Sequence, residues 1–477
     1  MRVSEYTEFD ATGLAGLIRA GEVTAAEVHA AATAAIDQVD PVLSAVVGER
    51  FDEPLDYEAE GVFAGVPFAI KDLVTHAAGV PTRSGSRLLG PGVPYPYDNA
   101  LMTRFRRAGL ATFARTRTPE FGFNAATEAV ADGGPTRNPW DLTRSAGGSS
   151  GGSAALVASR ALPLAHGNDG GGSIRVPAAA CGLVGLKPSR GRVTVGPDYS
   201  DPLFGLGVEF ALTRTVRDTA ALLDAVHGSE PGERFLLPEP SPSYAAEVAR
   251  GSGRLRIALA WDLFAPGQLI DPEVTAAVDA VAAHLEGLGH IVDITAPAID
   301  HESYLTATFH AWCAFLADGV AGASAALGVS PGPDVLEATT LACAEYGMGL
   351  TALDVAAMDR VFNALSRSVG TFLTDYDVIL TPTMVVPNVE VGYLDANDGS
   401  LSARGWFDKL FAILGTGLYN ATGMPAISLP LGTSGAGWPI GIQFAAALGH
   451  EATLLGLAGD LERTMSWAGR MPAVAAR

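Results

Sequence analysis

The sequence reads GGSSGGS at residues 147–153 and DGGGSIR at residues 169–175. Each segment combines several glycines with a serine, and Ser149 and Ser173 lie 24 positions apart. Glycine allows backbone N–H groups to approach a reacting oxygen closely, and a serine hydroxyl can act as a nucleophile or carry a proton. The two segments together therefore indicate a site for acyl transfer.

A lysine is the third candidate for a catalytic residue, because lysine is rare in this chain. Of 31 Lys and Arg residues, only Lys71, Lys187 and Lys409 are lysines. A buried lysine can lose its proton, whereas arginine cannot. Lys71 ends the apolar segment 66–70 (VPFAI), where burial lowers a lysine pKa. A fall from the reference pKa of about 10.4 to about 7 would leave half of the amines neutral. We therefore expect Lys71 to act as a general base.

These residues suggest a proton relay for amide hydrolysis. None of the nine histidines lies in a comparable motif, which makes the lysine the better base. We expect neutral Lys71 to draw a proton through Ser149 from Ser173, which then attacks an acyl carbon. The developing oxyanion would be met by the backbone N–H groups of a predicted oxyanion hole, formed by Gly170, Gly171, Gly172 and Ser173.

Further motifs extend along most of the chain. They read GVPFAIKD at 65–72, CGLVGLKP at 181–188, GMPA at 423–426 and PIGIQ at 439–443. With the two glycine-rich segments, these motifs resemble the amidase signature family. The resemblance implies Ser173 as the nucleophile, Ser149 as the serine that follows a cis peptide bond, and Lys71 as the base. It also implies an α/β fold, a single α/β/α domain built around a large mixed twisted sheet.

The pattern of apolar residues agrees with that fold class. Short apolar segments alternate with helical patterns, which is typical of layered α/β proteins. Residues 255–294 predict a strand, a helix and a second strand, and residues 14–36 predict two amphipathic helices. We expect residues 1–477 to form one domain, in which the mostly helical segment 304–372 lies near the pocket.

Within the family, residues 166–169 and 191–201 are most similar to hydrolases that open 6-aminohexanoate cyclic dimers. That likeness implies a small-molecule amide substrate, and it places Asn124 and Cys313 near positions that contact substrate. Gly170 stands where a threonine or a bulkier residue is common, which we expect to loosen the loop. Aryl acylamides, aliphatic amides, carbamates and esters remain open as substrates.

Other side chains in these motifs have structural interpretations. We expect Arg175 to pair with an acid such as Asp169 and so hold the loop, although it could instead bind a substrate carboxylate. Lys187 and His166 are expected to be structural. Cys181 and Cys343 are expected in the core, whereas Cys313 fits the core and the pocket equally.

The glycine-rich segments also fit three other classes of protein. GGSSG at 147–151 also matches the nucleophile elbow of α/β-hydrolases, but that motif follows a strand, and residues 137–144 are predicted to be a loop. The family also includes an amidotransferase subunit that acts on misacylated tRNA, but its Asp-Gln segment is absent here. A binding protein that holds an anion at 170–173 is the non-enzymatic alternative.

Charge and composition limit the partners. The formal net charge of −21 argues against nucleic acid and anionic membranes, which require clustered positive surface. The three cysteines are widely spaced and suggest neither a disulfide framework nor a zinc site, so we expect no metal and no cofactor. The polar N-terminus and the lack of a long apolar segment predict a cytoplasmic protein. The sequence leaves the oligomeric state open, and the family resemblance implies that a homodimer is possible.

Overall fold

The computed structural model describes residues 1–264 and 267–477. Its helices are α1 Val3–Tyr6, α2 Ala11–Arg19, α3 Ala25–Leu43, α4 Ala100–Arg107, α5 Gly151–Ala158, α6 Arg175–Cys181, α7 Val216–Val226, α8 Tyr244–Arg250, α9 Pro272–Gly287, α10 His301–Leu327, α11 Ala338–Met348, α12 Ala352–Phe372, α13 Ala403–Phe411, α14 Leu418–Ala421 and α15 Glu451–Thr464. Its strands are β1 Val66–Lys71, β2 Pro81–Thr82, β3 Val93–Pro94, β4 Leu110–Thr116, β5 Arg137–Asn138, β6 Asp141–Ser145, β7 Leu164–Asp169, β8 Val184–Lys187, β9 Val208–Thr213, β10 Arg256–Leu259, β11 Ile291–Ile294, β12 Val378–Pro382, β13 Ala426–Thr433 and β14 Pro439–Ala445.

A mixed sheet forms the centre of the molecule. In the described part of the chain it has eight strands in the order β11-β10-β12-β14-β13-β8-β9-β7. Strand β10 pairs in parallel with β11 and β12, whereas the other neighbouring pairs are antiparallel. The strand, helix and strand predicted within residues 255–294 are confirmed as β10, α9 and the parallel neighbour β11.

The sheet separates two apolar layers. On β12, Val378 and Leu380 pack into one cluster and Ile379 into the other, because successive side chains of a strand point to opposite faces. Helices α3, α7, α9 and α15 are among those that pack into one cluster, and helices α10 to α13 are among those that pack into the other. The predicted α/β/α layering around a large mixed sheet is confirmed.

The N-terminal third follows its sequence signals. Helix α3 begins at a capping box in which the Thr24 side chain accepts from the N–H of Glu27, and Glu27 accepts from Thr24. Strand β1 pairs in parallel with β4 outside the eight-stranded sheet. The predicted loop at 137–144 is wrong in part, because β5 and β6 form a short hairpin there. Separated from the main sheet, this hairpin does not provide the strand that a nucleophile elbow requires.

The predicted helical segment 304–372 is occupied by most of α10 and by α11 and α12. Helices α10 and α13 pack on the face of the sheet that also carries the end of β7. In the described residues, none of the helices has the length and apolar character needed to cross a membrane.

Candidate active site

The backbone of Lys71 is fixed by a buried histidine. All six residues of β1 are buried, and Lys71 ends the strand. Its backbone N–H donates to His166 Nδ1 at 3.1 Å. Because Nδ1 accepts this bond, Nε2 carries the ring proton of neutral His166 and donates it to Glu209 Oε2 at 2.8 Å. The expected structural role of His166 is thus to position Lys71.

The Lys71 amine lies between a serine and an asparagine. Lys71 Nζ is 2.6 Å from Ser149 Oγ, and it donates to Asn168 Oδ1 at 2.5 Å. The Asn168 amide nitrogen donates to the Leu73 carbonyl at 3.2 Å, so its oxygen is turned toward the lysine. A neutral amine that donates to Asn168 keeps its lone pair for another partner. The geometry therefore allows Nζ to accept the proton of Ser149.

Burial allows a large fraction of the Lys71 amine to be neutral near pH 7. The Lys71 side chain is fully buried, and this desolvation lowers its pKa to about 7 against the opposing charges of Glu209 and Asp169. The value agrees with the expectation from the apolar segment that precedes Lys71. Half of the molecules then carry an uncharged amine at neutral pH.

The pH profile of activity should report this group. As pH falls below about 7, Lys71 gains a proton and can no longer accept one from Ser149. We expect kcat/KM for amide hydrolysis to fall by about tenfold per pH unit on that side. Initial rates from pH 5 to 8 would measure this decline in kcat/KM, and circular dichroism would show that the protein stays folded. A flat profile in folded protein would contradict the role of Lys71.

Ser149 occupies a tightly packed turn before α5. The Gly148–Ser149 peptide bond is cis. A Cβ on Gly148 would lie 2.7 Å from the backbone nitrogen of Ala126, so only glycine fits there. Ser149 Oγ also lies beside Gly122, 3.3 Å from the position that a Cβ on that residue would take. Ser149 is thereby held between Lys71 and a cavity that Gly122 lines.

Ser173 lies on the wall of the same cavity. It lies in the loop between β7 and α6, and its carbonyl accepts from the N–H of Ser150 at 3.2 Å. Gly122, Gly148 and Ser173 are among the residues that line this cavity. Tertiary folding therefore brings together the three predicted residues Lys71, Ser149 and Ser173.

A buried ion pair holds the glycine-rich loop. Arg175 donates to both carboxylate oxygens of Asp169, at 2.9 Å each, and both side chains are fully buried. Burial alone would raise the pKa of Asp169, but the Arg175 guanidinium outweighs it and holds this pKa below its usual range. Arg175 also donates to Thr416, Asn420 and Gln443. The loop role predicted for Arg175 is confirmed.

Breaking this ion pair should destabilise the fold. Asp169→Asn leaves the Arg175 charge buried without its partner, which is expected to lower the free energy of unfolding by about 3–5 kcal/mol. Urea titration followed by circular dichroism would measure the loss. Glu5→Gln removes one partner of the exposed Arg2–Glu5 pair and should change stability little. Equal stability of Asp169→Asn and the native protein would contradict the role assigned to the pair.

One predicted oxyanion donor is engaged elsewhere. The N–H of Gly172 donates to Asp169 Oδ1 at 2.7 Å, and the carbonyl of Gly171 accepts from Thr416 Oγ1 at 2.5 Å. The peptide group between these two glycines is thus already paired on both sides. Gly172 can serve as an oxyanion donor only by releasing Asp169, so the amides of Gly170, Gly171 and Ser173 are the first candidates. The oxyanion role of all four amides stays a prediction.

The two predicted substrate contacts have different surroundings. Asn124 lines the Ser173 cavity, but its side chain donates to the Leu394 carbonyl at 2.9 Å and accepts from the N–H of Ala126 at 3.0 Å. Cys313 is fully buried on α10 beside Cys343, and this contact together with burial raises its pKa. A contact of either residue with substrate stays a prediction.

Several residues of the site were not predicted from the sequence. Trp312, Phe123 and Phe411 form an aromatic part of the cavity wall. Trp312 is adjacent to the predicted Cys313, but the face of α10 that meets the cavity is set by its packing. Asn168 lies within the motif 166–169, where its polar side chain at a strand end was an available signal. Nothing local distinguishes Thr416.

Lys187 is a second buried lysine, and its surroundings are structural. Lys187 Nζ donates to the carbonyl of Pro188 at 2.8 Å, and burial lowers its pKa well below the usual range. Across residues 1–264 and 267–477, no group of three or more His, Cys, Asp or Glu side chains is arranged to hold a metal ion.

Comparison with known proteins identifies the family. The family model described as Amidase matches residues 22–455. The chain belongs to the amidase signature family. It is similar to the 6-aminohexanoate-cyclic-dimer hydrolase of Paenarthrobacter ureafaciens, with 36% identity over 97% of this chain and 96% of the relative. This amidase is a hydrolase of amide C–N bonds.

Solved structures agree with that assignment. The structure of 6-aminohexanoate cyclic dimer hydrolase complexed with substrate matches with a TM-score of 0.91 and 35% identity, covering 98% of this chain and 99% of that chain. A bacterial aryl acylamidase of the same family matches with a TM-score of 0.84 and 25% identity, covering 97% and 99% of the two chains. The amidase thus shares its fold with enzymes that have different names and substrates.

Proposed function

We propose that this amidase hydrolyses a small non-peptide amide through an acyl-enzyme on Ser173. The observation that carries the proposal is the 2.6 Å contact between Lys71 Nζ and Ser149 Oγ, beside the cavity that Ser173 lines. A lysine with a pKa of about 7 can serve as a base at neutral pH, and a serine needs such a base to become nucleophilic.

In the first half-reaction, Ser173 Oγ forms a bond to the acyl carbon. Its proton passes to Ser149 Oγ as the proton of Ser149 passes to Lys71 Nζ. The carbonyl oxygen gains negative charge, and the amides of Gly170, Gly171 and Ser173 donate to it. The C–N bond then breaks, and the departing amine receives a proton from Lys71 through Ser149.

In the second half-reaction, water releases the acyl group. The water gives a proton to the relay of Ser149 and Lys71 and adds to the ester carbon of the acyl-enzyme. Collapse of the intermediate breaks the bond to Ser173 Oγ, which regains a proton from the relay. The products are a carboxylic acid and free enzyme, so one water is consumed for each amide bond.

For the substrate we propose a nylon-type oligoamide, with the 6-aminohexanoate cyclic dimer as the first compound to test. The support is the similarity to the hydrolase with that name, which extends over 97% of this chain. The cavity wall is also mostly apolar, with Phe123, Val176 and Leu410 among its residues. Such a wall suits the methylene chain between two amide groups.

An aryl acylamide is a second candidate substrate. Phe123 and Trp312 pack with ring centroids 5.0 Å apart on the cavity wall, and Phe411 completes the aromatic surface. Aromatic rings pack favourably in such arrangements. The similarity to the aryl acylamidase structure supports this candidate at lower identity.

A cytoplasmic location belongs to the same proposal. Cys181, Cys313 and Cys343 are free thiols and buried. Free thiols fit a reducing compartment, where disulfides are rare.

Hydrolysis of a substrate panel would test the proposed function. Purified protein and Ser173→Ala would be assayed with 6-aminohexanoate cyclic dimer, a nitroanilide, a short aliphatic amide and an aryl carbamate. We expect turnover of the cyclic dimer that depends on Ser173. Turnover of the anilide alone would favour the aryl acylamidase activity. Absence of any turnover that depends on Ser173 would overturn the proposal and favour a binding protein.

A further inference from the structure

Trp312 is a buried side chain on the wall of the Ser173 cavity. It lies on α10 and is only 7% exposed. Its ring packs against Phe123, with centroids 5.0 Å apart, and meets Phe315 edge-on at 5.9 Å. Rings on two sides therefore fix the orientation of the indole.

The indole lies over the glycine-rich loop because that loop has no side chains there. A Cβ on Gly170 would lie 3.3 Å from Trp312 Cζ2 and 2.8 Å from Leu203 Cδ2. A Cβ on Gly171 would have Trp312 Nε1 as its nearest neighbour, at 3.8 Å. A larger residue at 170 would push the indole away. Trp312 and Leu203 thus fill the space left by the missing side chain at position 170, where we expected a looser loop.

The indole N–H has no protein acceptor. Within residues 1–264 and 267–477, Trp312 Nε1 has no hydrogen-bond acceptor, whereas the indoles of Trp140 and Trp467 donate to the backbone carbonyls of Cys181 and Arg214. The Trp312 side chain as a whole is more than nine-tenths buried, so little water reaches it, and an acceptor on a bound molecule would gain a hydrogen bond from its N–H. Its position on the cavity wall makes a bound molecule the available acceptor.

We propose that the Trp312 indole N–H donates to a second carbonyl of the bound substrate, so that the site selects amides that carry another amide group. This inference rests on the proposed function and narrows its substrate class to diamides and oligoamides. The scissile carbonyl is assigned to the amides of Gly170, Gly171 and Ser173, which leaves Trp312 for a different oxygen. Trp312 is therefore a substrate-binding residue that determines specificity.

Paired ligands and paired variants test the proposal. The diamide is the N-butylamide of N-acetyl-6-aminohexanoic acid, and its partner is the chain-matched monoamide with methylenes in place of the second amide. Trp312→Phe removes the N–H and keeps an aromatic ring. Trp406→Phe is the matched control, because Trp406 Nε1 has no acceptor either but Trp406 lies outside the cavity. Melting temperatures would show that both variants fold.

Binding is measured in the Ser173→Ala background, so that the result does not depend on turnover. We expect Trp312→Phe to weaken diamide binding by about tenfold, the effect of one hydrogen bond, and to leave monoamide binding within about threefold. Trp406→Phe should change neither. In the hydrolytic protein, the same loss should appear in KM for the diamide and not in kcat.

Three results would overturn the inference. Equal weakening of both ligands by Trp312→Phe would show that the ring contributes packing alone, and an equal fall of kcat for both would assign the N–H to the scissile oxygen. Failure of the diamide to bind Ser173→Ala would also overturn it. Binding that depends on Trp312 without turnover by the native protein would instead contradict the proposed function and leave the inference standing.

Discussion

Ser173→Ala should lower kcat for amide hydrolysis by about 10⁴-fold or more and leave the fold intact. The substitution removes the oxygen that forms the acyl-enzyme, and the remaining cavity provides only binding and backbone donors. Ser173 is 8% exposed on a cavity wall, so its hydroxyl can be removed without opening the core. Burst kinetics and mass spectrometry of the acylated protein would show whether the ester forms on Ser173.

Ser159→Ala is the matched control for this substitution. Ser159 follows α5 and is also buried, and its hydroxyl donates to the Leu156 carbonyl at 3.2 Å. We expect Ser159→Ala to keep full turnover. Activity of Ser173→Ala within tenfold of the native protein would reject Ser173 as the nucleophile.

Lys71→Arg should lower kcat by about 10²–10⁴-fold although it keeps the positive charge. An arginine cannot lose its proton near neutral pH, so it cannot accept one from Ser149. The enclosed site also has no room for a guanidinium, because the amine already lies within 2.6 Å of both Ser149 and Asn168. Stopped-flow measurement of acylation would place the loss in the first half-reaction.

Two further variants separate chemistry from folding. Lys409 lies on α13, outside the site. Lys409→Arg should retain activity, which would show that an exchange of lysine for arginine is tolerated elsewhere in the fold. Lys71→Ala empties the site, and added methylamine should restore part of the rate with a dependence on the concentration of its neutral form. A fully active Lys71→Arg, or rescue that follows the charged amine, would contradict the role of Lys71 as base.

The sequence by itself determined the fold class and the three central residues. Periodic apolar segments predicted the layers. A strand that is buried on both faces is apolar along its whole length, whereas a helix that packs on a sheet is apolar along one stripe. The scarcity of lysine and the two glycine-serine segments singled out Lys71, Ser149 and Ser173. These signals are local, because each is visible in a few residues adjacent in the chain.

The tertiary structure decided how the local signals combine. Gly172 is adjacent to Ser173 in the chain, but its N–H is taken by Asp169, which only the folded loop reveals. Trp312 faces the cavity, while its neighbour Cys313 packs against Cys343. Successive residues of a helix point about 100° apart, so the packing of α10 on the sheet selects which one meets the substrate. That packing depends on contacts between residues far apart in the sequence, which no local pattern encodes.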